Sequence, residues 1–413
     1  MRDHSSNGKL SSAGTRPVRV AIIASSLRMG GAEKQTVYMA RALLEAGIDV
    51  RFFYLGEGGH YESVLRQGGV PERQIHIPHR PLVMLARLIG ELSQWRPQIV
   101  LAAQFSDLQY GAVAGRFCHA LILGGIRSDG LYELNAHGHH SRWMIGLAHG
   151  LVANSWRARQ NLVGRGVSAP KIEVLPNVID LRDFDARSAL APEVALPSDR
   201  VLVAAVGSLH ECKRFDRFLD ALALARRSEA ALAGVIAGAD CGVKRELEAR
   251  AKGLGLAPGD LVFLGEVNRV PALLAQSAML ILTSDYEGFP NVILEAMAAR
   301  LPVISTPAGD AGLIVQHGIT GYAVDAEDIR SMAAFMVQLA RSPATRKNFG
   351  EAGRQRVEQE YSHHSLADRL LAIFVGFADR ARRHSLSQML RRNVLPKMTE
   401  ALPADLLLER PAA

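Results

Sequence analysis

The chain has few cysteines, and their number and spacing bear on whether it contains disulfide bonds. Its three cysteines are Cys118, Cys212 and Cys241. No two of them form a CxxC pair, and an odd number leaves one thiol unpaired in any disulfide pattern. A disulfide framework is therefore not expected, and a reducing compartment suits the chain.

Long hydrophobic runs are also missing. The apolar stretches, such as Val201–Val206, are far shorter than the roughly 18 residues that suggest a membrane-spanning helix. The first sixteen residues are polar and rich in Ser and Gly, without the apolar centre of a secretion signal. We therefore expect residues 1–16 to form a disordered tail, no transmembrane segment, and a protein that stays in the cytoplasm.

Length and composition indicate a globular chain with more than one domain. At 413 residues it exceeds what one hydrophobic core usually holds, and two domains are the simplest arrangement. Its net charge of +7 favours anionic partners. Nucleic acid is not expected among them, because the basic residues form no stripe interleaved with aromatic side chains.

The first half of the chain alternates short β-branched runs with stretches of helical periodicity. This alternation is typical of parallel sheets that helices cover on both faces. Strands are predicted at residues 18–24, 50–55, 99–102, 121–126, 151–153 and 172–175, a loop and helix at 30–46, and helices at 82–94, 107–117 and 156–165. We interpret residues 17–180 as one doubly wound, Rossmann-like domain.

The pattern then lapses and starts again. Residues 181–198, rich in Asp, Ala and Pro, are interpreted as a linker. Residues 199–360 form a second Rossmann-like domain, with strands predicted at 201–206, 233–237, 261–263, 279–283 and 303–305. Residues 361–383 are predicted to form a helix that packs back on the first domain, before a tail at 384–413. The fold class is therefore α/β, with two domains facing each other across a cleft that holds the ligand site.

Two segments after predicted strand ends have modest signals for an anion site. Gly30 and Gly31 open a helix, where paired glycines let the backbone approach a ligand and the free N–H groups favour an anion; a plain turn explains them equally well. Lys213 and Arg214 follow the first strand of the second domain. Two cations there suit a phosphate, although Lys-Arg pairs are usually solvated surface.

A third segment, residues 285–295, has the strongest signal. Pro290 suits the first position of a helix, so that the N–H groups of Gly288, Phe289 and Asn291 would point towards an anion. Glu295 then lies in the second turn among apolar neighbours. A carboxylate in such surroundings needs a polar partner, and the hydroxyls of a nucleotide ribose would provide one.

Glu287 and Glu295 are separated by seven residues within EGFPNVILEAMA, and this segment resembles the EX7E motif of the family 4 retaining glycosyltransferases. Other segments that resemble the family are spread over most of the chain: GGAE, VANS, VLPNVID, GSLHECKRFD, PVISTPAGD and HGITGYAV. The resemblance implies the GT-B fold and the transfer of a sugar from a nucleotide-sugar donor with retention of anomeric configuration. By family habit, the acceptor is a growing cell-surface glycan or its lipid-linked precursor.

The resemblance also assigns roles to individual residues. Glu295 would bind the ribose hydroxyls, and Glu287, with the backbone of residues 288–291, would hold the donor sugar. Lys213 would neutralise the diphosphate, and Gly31 would approach it from the first domain. The catalytic residues are then Glu287 and Lys213, and the donor site comprises Gly31, Gly207, Ser208, Lys213, Arg214, Glu287, Gly288, Phe289, Asn291 and Glu295. No metal ion or other cofactor is expected, because such enzymes use none in catalysis.

Three positions depart from the family pattern. Ser208 stands where members often have Arg, so that one phosphate cation is missing or is supplied by Arg214. Leu313 stands near the position of a common Glu, with Asp310 close by. Many members have His after the fifth strand of the first domain, where this chain has Arg127. Arg127 and Gly30 are the candidates for contact with the acceptor, and Arg127 also for contact with an anionic donor sugar.

Two surface features suggest other partners. Residues 79–89 combine basic side chains with an apolar face, and they could lie on an anionic membrane surface, as could the tail at 384–413. Such contacts would make the protein peripheral on the inner face of the membrane. Most amphipathic helices, however, cover the core of their own protein. His137, His139 and His140 lack a Cys or carboxylate at ligand spacing, so a solvated or acceptor-facing loop is expected there and no metal site.

Two alternatives to a transferase stay open. A nucleotide-sugar epimerase of the same fold would use the same donor pocket without an acceptor, and product analysis separates the two. A non-enzymatic module that binds nucleotide sugar or lipid would bind the donor without transfer. Glu287 and Glu295 argue against that module.

Overall fold

The computed structural model of the chain describes residues 17–197 and 199–394. The tail predicted at 1–16, and residues 395–413 of the tail predicted at the other end, lie outside the described residues. Within the described ranges the chain forms two parallel sheets with helices on both faces of each.

The first sheet has seven strands in the described residues. They are β1 (Arg19–Ala24), β2 (Asp49–Tyr54), β3 (Glu72–Gln74), β4 (Ile99–Ala102), β5 (Leu121–Ile126), β6 (Gly150–Ala153) and β7 (Ile172–Val174), in the order β3-β2-β1-β4-β5-β6-β7. All neighbours are parallel. The central strands β4, β5 and β6 are buried along their whole length, which explains their continuous apolar sequences.

Helices connect these strands and cover the sheet. They are α1 (Gly31–Glu45), α2 (His60–Gln67), α3 (Pro81–Trp95), α4 (Leu108–Phe117), α5 (Leu131–Leu147) and α6 (Trp156–Gly164), with short 3₁₀ helices at Phe105–Asp107 and Ala169–Lys171. Helix α1 buries Val37, Ala40 and Leu43 against β1 and β2.

The second sheet has six strands in the described residues. They are β8 (Val201–Val206), β9 (Leu232–Ala237), β10 (Leu261–Gly265), β11 (Met279–Leu282), β12 (Val303–Ser305) and β13 (Gly321–Ala323), in the order β10-β9-β8-β11-β12-β13, again all parallel. The helices are α7 (Leu181–Ser188), which leads in from the first domain, α8 (Phe215–Arg226), α9 (Lys244–Gly253), α10 (Val270–Ala275), α11 (Asn291–Ala298), α12 (Ala311–Ile314), α13 (Ile329–Arg341) and α14 (Pro343–Glu360), with a 3₁₀ helix at Glu211–Lys213.

The last helices return to the first domain. After a 3₁₀ helix at His363–Ser365 come α15 (Leu366–Arg380) and α16 (His384–Val394). Leu370, Phe374 and Phe377 of α15 are buried in the same core as Val20 and Ile22 of β1. The chain therefore crosses between the domains twice, once before α7 and once after α14.

The structure revises four expectations about local elements. The residues predicted as a linker, 181–198, contain helix α7, because the Asp180 side chain caps its first turn and Phe184 enters the core of the second domain. The start of the tail predicted at 384–413 is helix α16. The histidines expected in a loop belong to α5, whose helical dihedral angles are interrupted only at Gly138. Pro290 directly precedes α11 rather than opening it.

Helix α3 has one buried edge and one exposed apolar edge. Met84, Leu88 and Leu92 pack into the first domain, whereas Leu82 and Val83 are exposed. None of the helices in residues 17–197 and 199–394 combines the length and hydrophobicity required to cross a bilayer.

The strand order places the ligand crevices. In each sheet the direction of winding reverses beside the first strand of the domain, between β1 and β4 and between β8 and β11. Loops that leave neighbouring strands at such a point separate and form a crevice at the carboxyl ends of the strands. Ser25 and Gln104 follow β1 and β4 there, and Lys213 and Ser284 lie in the loops after β8 and β11.

Candidate active site

Two loops of the second domain are tied together beside the reversal of its sheet. The amide of Asp285, after β11, donates to the carbonyl of Cys212, after β8, at 2.9 Å. The hydroxyl of Thr283 donates to the carbonyl of Lys213 at 3.0 Å. These bonds fix the backbone that carries the two residues predicted to be catalytic.

Lys213 and Glu287 meet across these loops. The Lys213 ammonium lies 2.6 Å from Glu287 Oε1, which also accepts a hydrogen bond from the Ser284 hydroxyl at 2.7 Å. Both side chains are half-buried, and the stem of Lys213 runs past Gly207. A cation and a carboxylate are thus held together in the crevice where the sequence predicts diphosphate and donor sugar.

Arg214, the other predicted phosphate cation, is already engaged. Its guanidinium pairs with Asp216 at 2.9 Å and with Asp285 at 3.3 Å. Hydrogen bonding to Asp216 is the main cause that raises the pKa of Arg214. Ser208 is exposed at the mouth of the same loop. Lys213 is therefore the cation of this loop that contacts Glu287.

The start of α11 is shaped by close backbone contacts. Phe289 points into the core, with its ring 6.0 Å from that of Tyr361, so only its backbone can face a ligand. Gly309 has φ +57°, and a Cβ at this position would lie 2.7 Å from the carbonyl oxygens of Glu287 and Gly288. A glycine is required there, because both its conformation and its space exclude a side chain.

The first domain meets this loop and helix. A Cβ on Gly31 would lie 2.6 Å from Asn291 Nδ2, and Asn291 Oδ1 accepts a hydrogen bond from Asn177 Nδ2 at 2.9 Å. Gly288 packs on the carbonyl of Arg127, with no room for a Cβ. The segments containing GGAE and VLPNVID therefore converge on the predicted donor loop, as their positions after strand ends suggest.

Glu295 has a partner that the sequence did not reveal. Lys34, from α1 of the first domain, donates to Glu295 Oε1 at 3.1 Å, and both side chains are largely buried. Burial is the largest single influence and opposes the charge on Lys34, but the attraction and hydrogen bonding of Glu295, together with Tyr38 and Tyr61, outweigh it and raise the pKa of Lys34. The only sequence signal was its place directly after GGAE.

Polar side chains also line the crevice of the first domain, and sequence reasoning missed them. The Gln104 side chain donates to Glu33 at 3.2 Å, and Ser26 donates to the same carboxylate oxygen at 3.2 Å.

Asp107 lies beside these groups and is fully buried. It accepts hydrogen bonds from the Ser25 hydroxyl and from the backbone amide of Gln104, and burial raises its pKa to about 7. This wall faces the acceptor side of the cleft in the sequence-based prediction. Gly30 adjoins it, because a Cβ on Gly30 would collide with the Glu33 carboxylate.

Asp310 connects the domains. Its buried carboxylate accepts hydrogen bonds from the amides of Trp156 and Arg157, at 2.8 and 3.0 Å, and so caps α6 of the first domain. Leu313, near the position of the common Glu, is exposed. Asp310 is thus occupied by a structural contact.

Among the described side chains, His, Cys, Asp and Glu form no group of three or more that could hold a metal ion. The side chains of His137 and His139 lie outside the described part, and the ring of His140 stacks on Trp143 with 4.9 Å between centroids.

Comparisons with known proteins agree on one family of enzymes. The model described as "Glycosyltransferase Family 4" matches residues 29–183, and that described as "Glycosyl transferases group 1" matches residues 200–342. N-acetyl-alpha-D-glucosaminyl L-malate synthase of Bacillus anthracis is 33% identical over 114 residues, 28% of this chain and 30% of that protein. EpsF of Bacillus subtilis, provisionally named a glycosyltransferase, is 26% identical over 328 residues, 71% of this chain and 82% of that protein. The chain therefore spans less than a third of the length of the first relative and most of the second.

A solved structure supports the fold. HepE of Anabaena, in complex with UDP-glucose, superimposes with a TM-score of 0.73 at 19% identity, over 86% of this chain and 99% of that one. The predicted α/β class, with two doubly wound domains of the GT-B type, is confirmed.

Proposed function

We propose that this chain, which belongs to the family 4 glycosyltransferases of the GT-B fold, transfers a sugar from a nucleotide-sugar donor to an acceptor. The transfer takes place in the cleft between its two domains. The contact of Lys213 with Glu287, opposite Gly31 and the start of α11, supports this most. It brings together a cation for the diphosphate, a carboxylate for the sugar and the N-terminus of α11 in one crevice, although the amide of Asn291 itself donates to the carbonyl of Phe289 at 3.0 Å.

The proposed roles follow from these positions. Glu295 binds the ribose hydroxyls, Lys213 neutralises the diphosphate, and Glu287 with the backbone of Gly288 and Asn291 orients the donor sugar. We propose retention of anomeric configuration, by attack on the face from which the diphosphate leaves. The cation and the helix N-terminus stabilise the leaving group, so that no metal ion is required.

A thermal-shift screen tests donor recognition. Because HepE was solved with UDP-glucose, UDP and its sugars come first in a panel of nucleoside diphosphates and nucleotide sugars, each with and without EDTA. A ligand at 100 times its Kd should stabilise the protein by about 2.7 kcal/mol, and chelation should not remove the shift. A panel in which no nucleotide raises Tm would contradict donor binding.

We further propose that the acceptor is a cell-surface glycan or its lipid-linked precursor, reached at the inner face of the membrane. Helix α3 supports a peripheral contact, because Leu82 is 79% exposed and Arg80 and Arg87 are exposed beside it. An apolar edge flanked by cations suits an anionic bilayer surface.

Leu82→Glu should lower cosedimentation with vesicles of phosphatidylglycerol by roughly 10-fold or more, because it removes an apolar contact with the bilayer and adds repulsion from the anionic lipids. Leu190→Glu is the matched control, since Leu190 is 48% exposed and follows α7, outside α3. Equal sedimentation of the two variants, or none of the wild type, would contradict the membrane proposal.

A further inference from the structure

Arg127 is a cation without a charged partner. It follows β5, and its Nε donates to the carbonyl of Ala103 at 3.0 Å, while one terminal nitrogen lies 3.6 Å from the sulfur of Met39. Across residues 17–197 and 199–394, no carboxylate forms an ion pair with this guanidinium. A guanidinium has five N–H donors, so that these two uncharged contacts leave most of its capacity unused.

The two arginines that are buried in the described residues both have carboxylate partners. The side chain of Arg217 is 5% exposed and pairs with both Asp285 and Glu327. That of Arg354 is 9% exposed and pairs with Asp185 at 2.6 Å and Glu358 at 2.7 Å. In both places two carboxylates compensate for the loss of hydration, as a buried charge requires.

The nearest carboxylate to Arg127 serves another purpose. Glu133 accepts hydrogen bonds from the backbone amides of Arg127, Ser128 and Gly130, at 3.1, 2.9 and 3.1 Å, and from the Ser128 hydroxyl. It closes the turn before α5 and is saturated by these donors. Arg127 is half-buried, but its guanidinium is surrounded closely enough that burial lowers the pKa of Arg127 to about 10.

The backbone of Arg127 lies beside the loop that carries Glu287. Its carbonyl accepts a hydrogen bond from Asn154 at 3.0 Å and lies directly against Gly288 of the second domain. Gly288 adjoins Glu287, which contacts Lys213. Arg127 thus stands where the two domains meet, beside the loop proposed to hold the donor sugar.

We propose that Arg127 binds a carboxylate of the substrate, carried either by the donor sugar or by the acceptor unit that receives it. This rests on the proposed glycosyltransferase function and names its substrate class, a sugar acid such as a hexuronic acid. A planar carboxylate matches the fork of a guanidinium with two parallel hydrogen bonds. One singly charged ligand also balances one unpaired cation, whereas a neutral hexose would leave that charge uncompensated.

Equilibrium binding tests the proposal and distinguishes the two sources. In the donor arm, calorimetry compares UDP-glucuronic acid with UDP-glucose, or the same pair on whichever nucleotide the thermal-shift screen selects. In the acceptor arm, NMR titration of the nucleotide-loaded protein compares methyl glucuronide with methyl glucoside. One arm should show a preference of roughly 10- to 100-fold for the carboxylate, since hydrogen bonds between charged groups are the strong ones.

Arg127→Gln should abolish that preference, and Arg127→Lys should keep part of it, because a point charge replaces the fork. Arg142→Gln, which removes an exposed arginine of α5, should leave it unchanged. Arg127→Met should leave Tm unchanged within about 2 °C or raise it, because an unpaired buried charge is lost, whereas a structural arginine would give a lower Tm.

No preference for the carboxylate in either arm, or a preference that persists in Arg127→Gln, would overturn the proposal. Failure of the proposed function is recognised separately, because a nucleotide sugar would then either not bind or bind without transfer of its sugar.

Discussion

Lys213→Ala should lower kcat by about 100- to 1,000-fold, equivalent to roughly 3 to 4 kcal/mol, by analogy with the loss of one oxyanion-stabilising donor. Negative charge grows on the diphosphate as its bond to the sugar breaks. A fixed cation therefore stabilises the transition state more than the bound donor. The structure offers little in its place, because Arg214 is held by Asp216 and Asp285 and position 208 is an exposed serine.

Steady-state kinetics with a nucleotide-sugar donor, at saturating donor, measures this effect. Lys213→Arg should recover only part of the rate, because a planar fork replaces a point charge that lies 2.6 Å from Glu287. Lys244→Ala is the matched control, since the side chain of Lys244 in α9 is 40% exposed and, among the described residues, forms an ion pair only with Glu248. If Lys213→Ala folds normally by circular dichroism and stays within about twofold of wild-type kcat, the assignment is wrong, because twofold is under ~0.5 kcal/mol.

Glu295→Ala should weaken donor binding by roughly 100-fold, since two hydrogen bonds between ribose hydroxyls and a carboxylate are lost. Turnover at saturating donor should fall less, because the ribose takes no part in bond breaking. By contrast, Glu287→Ala should act mainly on turnover. Calorimetric titration of donor, run beside steady-state rates, separates the two effects.

The contact between Glu295 and Lys34 requires a control. Removing the carboxylate leaves the largely buried ammonium of Lys34 without its partner and should also lower stability, by about 1 to 3 kcal/mol. The double variant Lys34→Met/Glu295→Ala should regain stability without regaining donor affinity. Recovered affinity in the double variant, or unchanged affinity in Glu295→Ala, would show that Glu295 does not bind the ribose.

The central strands were predictable because burial on both faces makes them continuous apolar runs. Ile99–Ala102, Leu121–Ile126 and Val201–Val206 begin and end where the sequence predicts. The edge strands β3 and β13 were missed, because β3 is entirely polar and β13 contains Gly and Ala, so that neither has the β-branched run that marks a buried strand. Edge pairing depends on the neighbouring strand and not on the segment itself.

Helix α5 shows a different limit of sequence reasoning. Its apolar residues do not line up on one face of the helix, and its backbone departs from helical dihedral angles at Gly138. The start of the helix is fixed by Glu133, whose carboxylate collects three backbone amides of the preceding turn. Such a cap depends on a turn conformation that the apolar periodicity does not report.

The site was predictable where it follows strand order and hidden where it depends on the arrangement of the domains. Lys213 and Glu287 both follow strands beside a reversal of winding, so their contact could be expected. Lys34 and Glu295 are 261 positions apart in the chain, and only the packing of α1 against α11 joins them. That Arg127 has no carboxylate partner in the described part of the chain likewise depends on the residues packed around it, and no sequence motif indicates it.

The most direct test of sugar transfer is a proton NMR time course of a nucleotide sugar with the purified protein and a glycan acceptor, in the presence of EDTA. We expect the donor anomeric signal to decay, nucleoside diphosphate to appear in equal amount, and the new glycosidic signal to keep the anomeric configuration of the donor. Lys213→Ala should slow all three changes together. Accumulation of a nucleotide sugar with an inverted ring carbon, or a donor that binds but stays intact, would contradict the transferase function.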